Sequence, residues 1–233
     1  PIFRSKSIIF SNLSRAFPNL DKIEKKKILK KMWFNYGNIF AEYMFIKKFR
    51  NDPIISRNIL IENQYILEKI KTESKPVIFI SGHFNNFELM AMQIEKAGID
   101  LAAIYRPLNN KYLNPLMESI RKKYICRKQI KKGISGTKEL LLNFKKGTSI
   151  ALMIDQRVSQ GIKCNLFGEK ALTTTIPAQF VKKFGSKIIP VYIERKNNEI
   201  FKINFFHPLE LSKNTSEELI TLKLNKCLEE MIK

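Results

Sequence analysis

From residue 76 onward, short apolar runs alternate with amphipathic stretches, and turn residues mark the breaks. Val77–Ser81 lies between Pro76 and Gly82, and Leu101–Tyr105 and Ser149–Ile154 have the same character. Runs this short, without polar alternation, read as strands buried on both faces. Between them the pattern predicts helices over Glu88–Ala97, stopped by Gly98, over Asn114–Tyr124, and over Lys138–Lys146, closed by Gly147. Ile176–Phe184, closed by Gly185, is a further helix, and Glu217–Lys233 a terminal one. Lys187–Glu194 and Ile200–Phe206 read as strands that pair in a hairpin across Lys196–Asn197–Asn198. Strands separated by helices are joined by crossovers, so the expected fold is α/β, with a mainly parallel central sheet flanked by helices. A chain of 233 residues suffices for one large core, and no internal repeat or low-complexity linker divides it. A single domain over 1–233 is expected, with a helical N-terminal segment over 1–50 and the α/β core over 75–233.

The N-terminal segment is best defined over residues 22–48, which read as one or two helices. Asp21 and Glu24 have the spacing of a capping box. Ile23, Ile28, Met32, Trp33, Tyr36, Ile39, Phe40 and Tyr43 give the apolar positions, with Lys25, Lys26, Lys27, Lys30 and Lys31 between them. A basic, aromatic-rich amphipathic helix suits an anionic membrane surface. A helix packed on a core with a solvated lysine face shows the same pattern.

Charge narrows the partners. Lys and Arg number 42 against 21 Asp and Glu, a formal balance of +21, which favours anionic partners. The cations are spread along the chain without a nucleic-acid-binding motif, so no nucleic acid partner is expected. Cys126, Cys164 and Cys227 are odd in number and widely spaced, which gives neither a disulfide framework nor a zinc site. His83 and His207 are the only histidines, too few for a multi-histidine metal centre, and no metal or cofactor is expected. No run reaches the roughly 18 apolar residues of a membrane-spanning helix, and no signal peptide is visible.

Polar residues follow directly on the predicted strands: His83 after the first, Arg106 after the second, Asp155 after the third. Ligands of open parallel sheets bind outside the carboxyl ends of the strands, so a base, a cation and a carboxylate converge on one edge. His83 and Glu88 stand five residues apart at a strand-to-helix turn. An imidazole takes the proton of a hydroxyl near neutral pH, and a carboxylate on its other nitrogen fixes the tautomer. No Ser or Cys nucleophile lies beside His83, which favours direct attack by an acceptor hydroxyl. The alternative for Glu88 is a capping box with Asn85. Arg106 suits a phosphate or a polarised carbonyl, or else a structural ion pair. Asp155 suits a substrate hydroxyl or Arg106. His207, before Pro208, reads as structural, and Lys131–Lys138 reads as a turn at a helix start, with an anion site as the alternative.

The block Ser81-Gly82-His83-Phe84-Asn85-Asn86-Phe87-Glu88 resembles the signature of the bacterial lipid A biosynthesis acyltransferases, the lauroyl/myristoyl transferase family. The resemblance continues in order through Asn12-Leu13, Ala16-Phe17-Pro18, Tyr105 to Asn110, Gly133 to Leu142, Asp155-Gln156, Phe167-Gly168 and Thr174 to Gln179, up to Val191. It implies an acyltransferase-like fold and transfer of an acyl chain from acyl carrier protein to a hydroxyl of an acylated, phosphorylated glucosamine disaccharide. The implied setting is the cytoplasmic face of the inner membrane, with acyl carrier protein and an anionic membrane surface as partners. It places the catalytic pair on His83 and Glu88, and substrate-binding positions on Asn86, Arg106 and Asp155. Relatives usually carry a hydrophobic anchor before this region and an aromatic- and Arg-rich tail after it, so truncation at both ends is expected. A glycerolipid or another glycolipid acceptor, or water, would use the same His/Glu chemistry.

Overall fold

A computed structural model describes residues 6–197 and 199–233. The chain divides into two compact units, Pro1–Phe45 and Ile46–Lys233. The first is helical, with α1 (Lys6–Ala16) and α2 (Lys22–Tyr43). The expected capping box opens α2: Glu24 N–H donates to Asp21 Oδ1 at 2.7 Å, and Asp21 N–H donates to Glu24 Oε2 at 3.1 Å. None of the α2 side chains is buried. The first five residues of the expected N-terminal segment, and Asn198 of the expected hairpin turn, lie outside the described residues.

The second unit runs α3 (Ile46–Asn51), α4 (Pro53–Ser56), β1 (Ile59–Glu62), α5 (Tyr65–Glu73), β2 (Ile78–Ser81), α6 (Glu88–Lys96), β3 (Leu101–Tyr105) and α7 (Leu113–Ile120). A π-helical turn over Arg121–Ile125 follows, then β4 (Lys128–Lys131), α8 (Ile134–Lys145) and β5 (Ser149–Met153). The order ends with β6 (Ile162–Leu166), β7 (Glu169–Thr173), α9 (Ile176–Phe184), β8 (Ile188–Lys196), β9 (Ile200–Phe205) and α10 (Glu217–Ile232). The α/β unit thus begins well before residue 75, because β1 joins the same sheet as the later strands.

Seven strands form that sheet in the order β1-β9-β8-β2-β5-β3-β4. Every neighbouring pair is parallel except β8 with β9, the hairpin expected from the sequence. All four β2 residues are buried, as a central parallel strand requires. Alternation then sorts its side chains. Ile78 and Ile80 join Ile150, Leu152 and Ile188 against Leu140 and Phe144 of α8, Ala178 and Val181 of α9, and Leu224 and Leu228 of α10. Phe79, one residue out of phase, meets Phe205 edge-on at 6.3 Å. Each fully buried Ile or Leu here contributes about 1.5–3 kcal/mol relative to exposure. α9 stops at Gly185, whose φ of 67° lies in the left-handed region that glycine adopts without strain.

β6 and β7 form a separate antiparallel ribbon. It is tied to α10 by Asn225 Nδ2, which donates to Asn165 O at 2.9 Å and Thr173 Oγ1 at 3.1 Å. His207 is structural in its contacts, with Nε2 3.1 Å from the Tyr65 hydroxyl. No described helix is long and apolar enough to cross a membrane.

Two thiols are shielded from easy chemistry, Cys126 buried and Cys227 half-buried. Burial, reinforced by Glu95, pushes the Cys126 thiol up to about 12, and burial with Glu230 nearby pushes Cys227 up to about 11. The thiolate is the reactive form, so native alkylation of both at pH 8 is expected to be at least about a hundredfold slower than in the denatured chain. Mass spectrometry of timed iodoacetamide labelling measures this, and equal native and denatured rates would contradict it.

Candidate active site

The chain leaves β2 through a tight turn. Phe84 N–H donates to Gly82 O at 2.8 Å, folding the backbone back at His83. Glycine leaves room at 82, since a Cβ there would stand 2.9 Å from Phe84 Cζ and 3.2 Å from Leu228 Cδ1 and would make those side chains shift. Asn85 takes a φ of 40°, a left-handed conformation that asparagine tolerates better than most residues. Its Nδ2 donates to Ile193 O at 3.2 Å, tying the turn to β8. The alternative capping role for Asn85 is therefore not realised: Phe87 is the cap residue of α6, without a side-chain cap bond. The Phe87 ring instead lies 4.7 Å from the His83 ring, edge to face.

Strand register decides which carboxylate meets the imidazole. Ser81 pairs with Met153, and Ile154 N–H continues the ladder onto Ser81 O at 2.9 Å. His83 and Asp155 each stand two residues beyond that pair, so they emerge side by side. His83 Nδ1 lies 2.7 Å from Asp155 Oδ1, and the His83 backbone N–H donates to Asp155 Oδ2 at 2.9 Å. One carboxylate thus fixes both the backbone and the ring of the histidine.

Burial by itself raises the Asp155 carboxyl, but hydrogen bonds from the His83 ring and backbone N–H outweigh it and hold the group below the ordinary carboxylate range. An ionised carboxylate only accepts, so in the neutral ring Nδ1 carries the proton and Nε2 the lone pair. Gln156 Nε2, an amide donor, stands 3.4 Å from that nitrogen. The His83 and Asp155 side chains remain 33% and 25% exposed, so the ring is accessible.

The other expected residues fall differently. Glu88 is buried, and its Oε1 accepts from Arg121 Nε at 2.9 Å and Nη2 at 2.7 Å. The structure therefore brings His83 together with Asp155 and engages Glu88 with Arg121, which rides on the π-helical turn closed by Cys126 N–H on Arg121 O at 2.9 Å. Asn86 is fully buried beneath the turn. Arg106 is exposed just past β3 and makes no hydrogen bond or ion pair among the described residues, so Asp155 does not hold it. No group of three or more His, Cys, Asp and Glu side chains suited to a metal occurs among the described residues.

Sequence reasoning missed Arg121 altogether, for nothing in a 33-residue separation links it to Glu88. The Asp155–His83 pairing left one signal: both residues stand just past the end of an apolar strand, which aligns them once β2 and β5 are neighbours. Those neighbours also form a switch point. The chain leaves β2 toward β3 on one side and leaves β5 toward β8 on the other, the arrangement at whose carboxyl edge open α/β sheets bind ligands.

No curated protein matches the chain. A family model described as bacterial lipid A biosynthesis acyltransferase matches residues 2–233. With the match running over the whole strand-and-turn framework that sets His83, the chain belongs to the bacterial lipid A biosynthesis acyltransferase family.

Proposed function

We propose that this acyltransferase takes its acyl chain from acyl carrier protein and delivers it to a hydroxyl of a lipid A precursor, with His83 as general base. The observation that carries the reading is the 2.7 Å contact of Asp155 with Nδ1, which leaves Nε2 of an accessible ring as the basic nitrogen. The acceptor hydroxyl donates to Nε2 and its oxygen attacks the thioester carbonyl carbon. As the C–O bond forms, the proton passes to Nε2, and Asp155 stabilises the imidazolium. The tetrahedral oxyanion collapses with cleavage of the C–S bond, and the departing thiolate takes the proton back from His83. Arg106, cationic and exposed on the same sheet edge, suits the oxyanion or a substrate phosphate. In this reading Asp155 takes the orienting role expected of Glu88, while Glu88 and Arg121 fix the start of α6. Asn86, fully buried, supports the turn and does not touch the substrate. The chemistry calls for no metal or cofactor.

The proposed setting is the cytoplasmic face of the inner membrane. The net charge of +21 suits both an acidic carrier protein and an anionic lipid surface. α2 carries exposed Lys26, Lys27, Lys30 and Lys31 in its first half and exposed Phe34, Tyr36 and Phe40 in its second, the composition of an interfacial helix.

The test supplies the full-length protein with acyl carrier thioester and, in parallel, a tetra-acylated lipid A precursor, glycerol phosphate, or water alone. Acylated disaccharide should form fastest. Preferential acylation of glycerol phosphate, or release of free fatty acid with no disaccharide product, would refute the proposal.

A further inference from the structure

α7 has no buried side chain, although an amphipathic helix beside a core ordinarily turns its apolar stripe inward. Tyr112, Leu113 and Leu116 fall on one helical face and are 92%, 49% and 56% exposed, and Leu108 in the preceding loop is 40% exposed. Local hydrogen bonds fix the backbone that carries them. Asn110 Oδ1 accepts from Tyr112 N–H at 2.9 Å and Leu113 N–H at 3.1 Å, and Asn114 Oδ1 accepts from Leu108 N–H at 2.7 Å. The backbone donors at three of the apolar tips thus have partners within the segment, which is what entry into a water-poor layer demands.

Charge identifies the occupant. Arg106, Lys111, Lys122 and Lys123 are all exposed, and the sole carboxylate between 106 and 123 is Glu118, which accepts from Asn114 Nδ2 at 2.7 Å. Pro115, Glu118, Ser119, Lys122 and Lys123 line an open recess of about 500 Å³, roomy enough for a lipid headgroup. The segment continues from β3, whose neighbour β5 leads to Asp155 and whose next neighbour β2 leads to His83. Apolar tips beside a cationic recess are suited to an interface of acyl chains and phosphates.

We infer that residues 106–123 dock on an anionic phospholipid bilayer, with Leu108, Tyr112, Leu113 and Leu116 in the acyl boundary and Lys122 and Lys123 on headgroup phosphates. The inference rests on the proposed function only for its purpose, bringing a lipid alcohol to the edge that carries His83; the docking itself requires no acyl transfer.

The test uses full-length protein carrying Tyr112→Trp, with Trp33, the one tryptophan of residues 1–233, and any tryptophan outside them replaced by Phe, so that the emission reports the patch. Mixed with phosphatidylglycerol/phosphatidylcholine vesicles, it should show a blue-shifted emission and quenching by brominated acyl chains. Adding Leu113→Ser and Leu116→Ser should weaken vesicle binding about tenfold or more, with an unchanged circular dichroism spectrum. No blue shift, or equal vesicle affinity of the serine variant, would overturn the inference. Loss of acyl carrier protein binding with vesicle affinity retained would also overturn it, reassigning the patch to a protein partner. Vesicle docking by a protein inactive in acyl transfer would refute the proposed function and support this surface.

Discussion

Asp155→Asn is expected to lower kcat for acyl transfer by about 10³–10⁴-fold while leaving the fold intact. The replacement is nearly isosteric, so the introduced amide oxygen still accepts from the His83 backbone N–H, a bond that measures 2.9 Å in the native turn. The amide NH₂ group then faces His83 Nδ1 and donates to it. The imidazole is driven into the opposite tautomer, with its proton on Nε2, where it cannot take one from a hydroxyl. The negative charge that would stabilise the imidazolium is lost as well. Stability carries its own signature in acid. Because the folded-state pKa of Asp155 is lowered, its contribution is fully present above the ordinary carboxylate value and is lost as pH falls through the lowered one. The stability gap between wild type and Asp155→Asn should therefore be level down to pH ~4 and close below it. Steady-state kinetics with acid-range thermal melts measure both effects, and a variant with near-native kcat would remove Asp155 from the mechanism.

Glu88→Ala should fail in a different way. Its carboxylate is buried and bonds two nitrogens of Arg121, whose side chain is only 15% exposed. Truncation leaves the guanidinium in place without its carboxylate, and breaking a buried pair from one side costs about 3–5 kcal/mol. For a unit of this size the melting temperature should fall on the order of 10 °C. Activity should fall with it, since α6 begins at Glu88 and the His83 turn leads directly into that helix. Removing both charges in a Glu88→Leu/Arg121→Met variant should recover much of the lost stability, because well-packed apolar residues replace buried ion pairs at little cost. Melting curves of the single and double variants decide this. A Glu88→Ala protein as stable as wild type would assign the carboxylate a purely chemical role.

These two carboxylates mark how far the sequence could be read. β2, β3, β5, α9 and the β8–β9 hairpin were legible because continuous apolar runs, or an amphipathic stretch closed by glycine, encode them locally. β4, Lys-Gln-Ile-Lys, was not: as an edge strand it buries only Ile130, and lysines there mask the pattern while discouraging edge-to-edge pairing. β1 buries Ile59 alone, and the β6–β7 ribbon buries only Cys164 and Thr173, so neither produced a core signal. The helix expected over Asn114–Tyr124 is interrupted at Arg121 by a π-helical turn, whose i to i+5 bond has no signature in residue spacing.

For the site, convergence of His83, Arg106 and Asp155 on one sheet edge followed from strand ends alone, but the partner of the imidazole did not. Glu88 is five residues from His83 in sequence and was the natural choice. Asp155 is 72 residues away and becomes the neighbour only because the chain inserts β5 between β2 and β3. Strand order is a tertiary property, set by which crossovers bury the most apolar surface, and local pattern does not report it.

The most direct measurement is the single-turnover rate of acyl transfer from acyl carrier thioester to a lipid A precursor, comparing wild type with His83→Ala. With the basic Nε2 gone and the fold intact by circular dichroism, the rate should drop by about 10²–10⁴-fold. A folded His83→Ala protein within a factor of two or three of the wild-type rate would show that no proton passes through this imidazole.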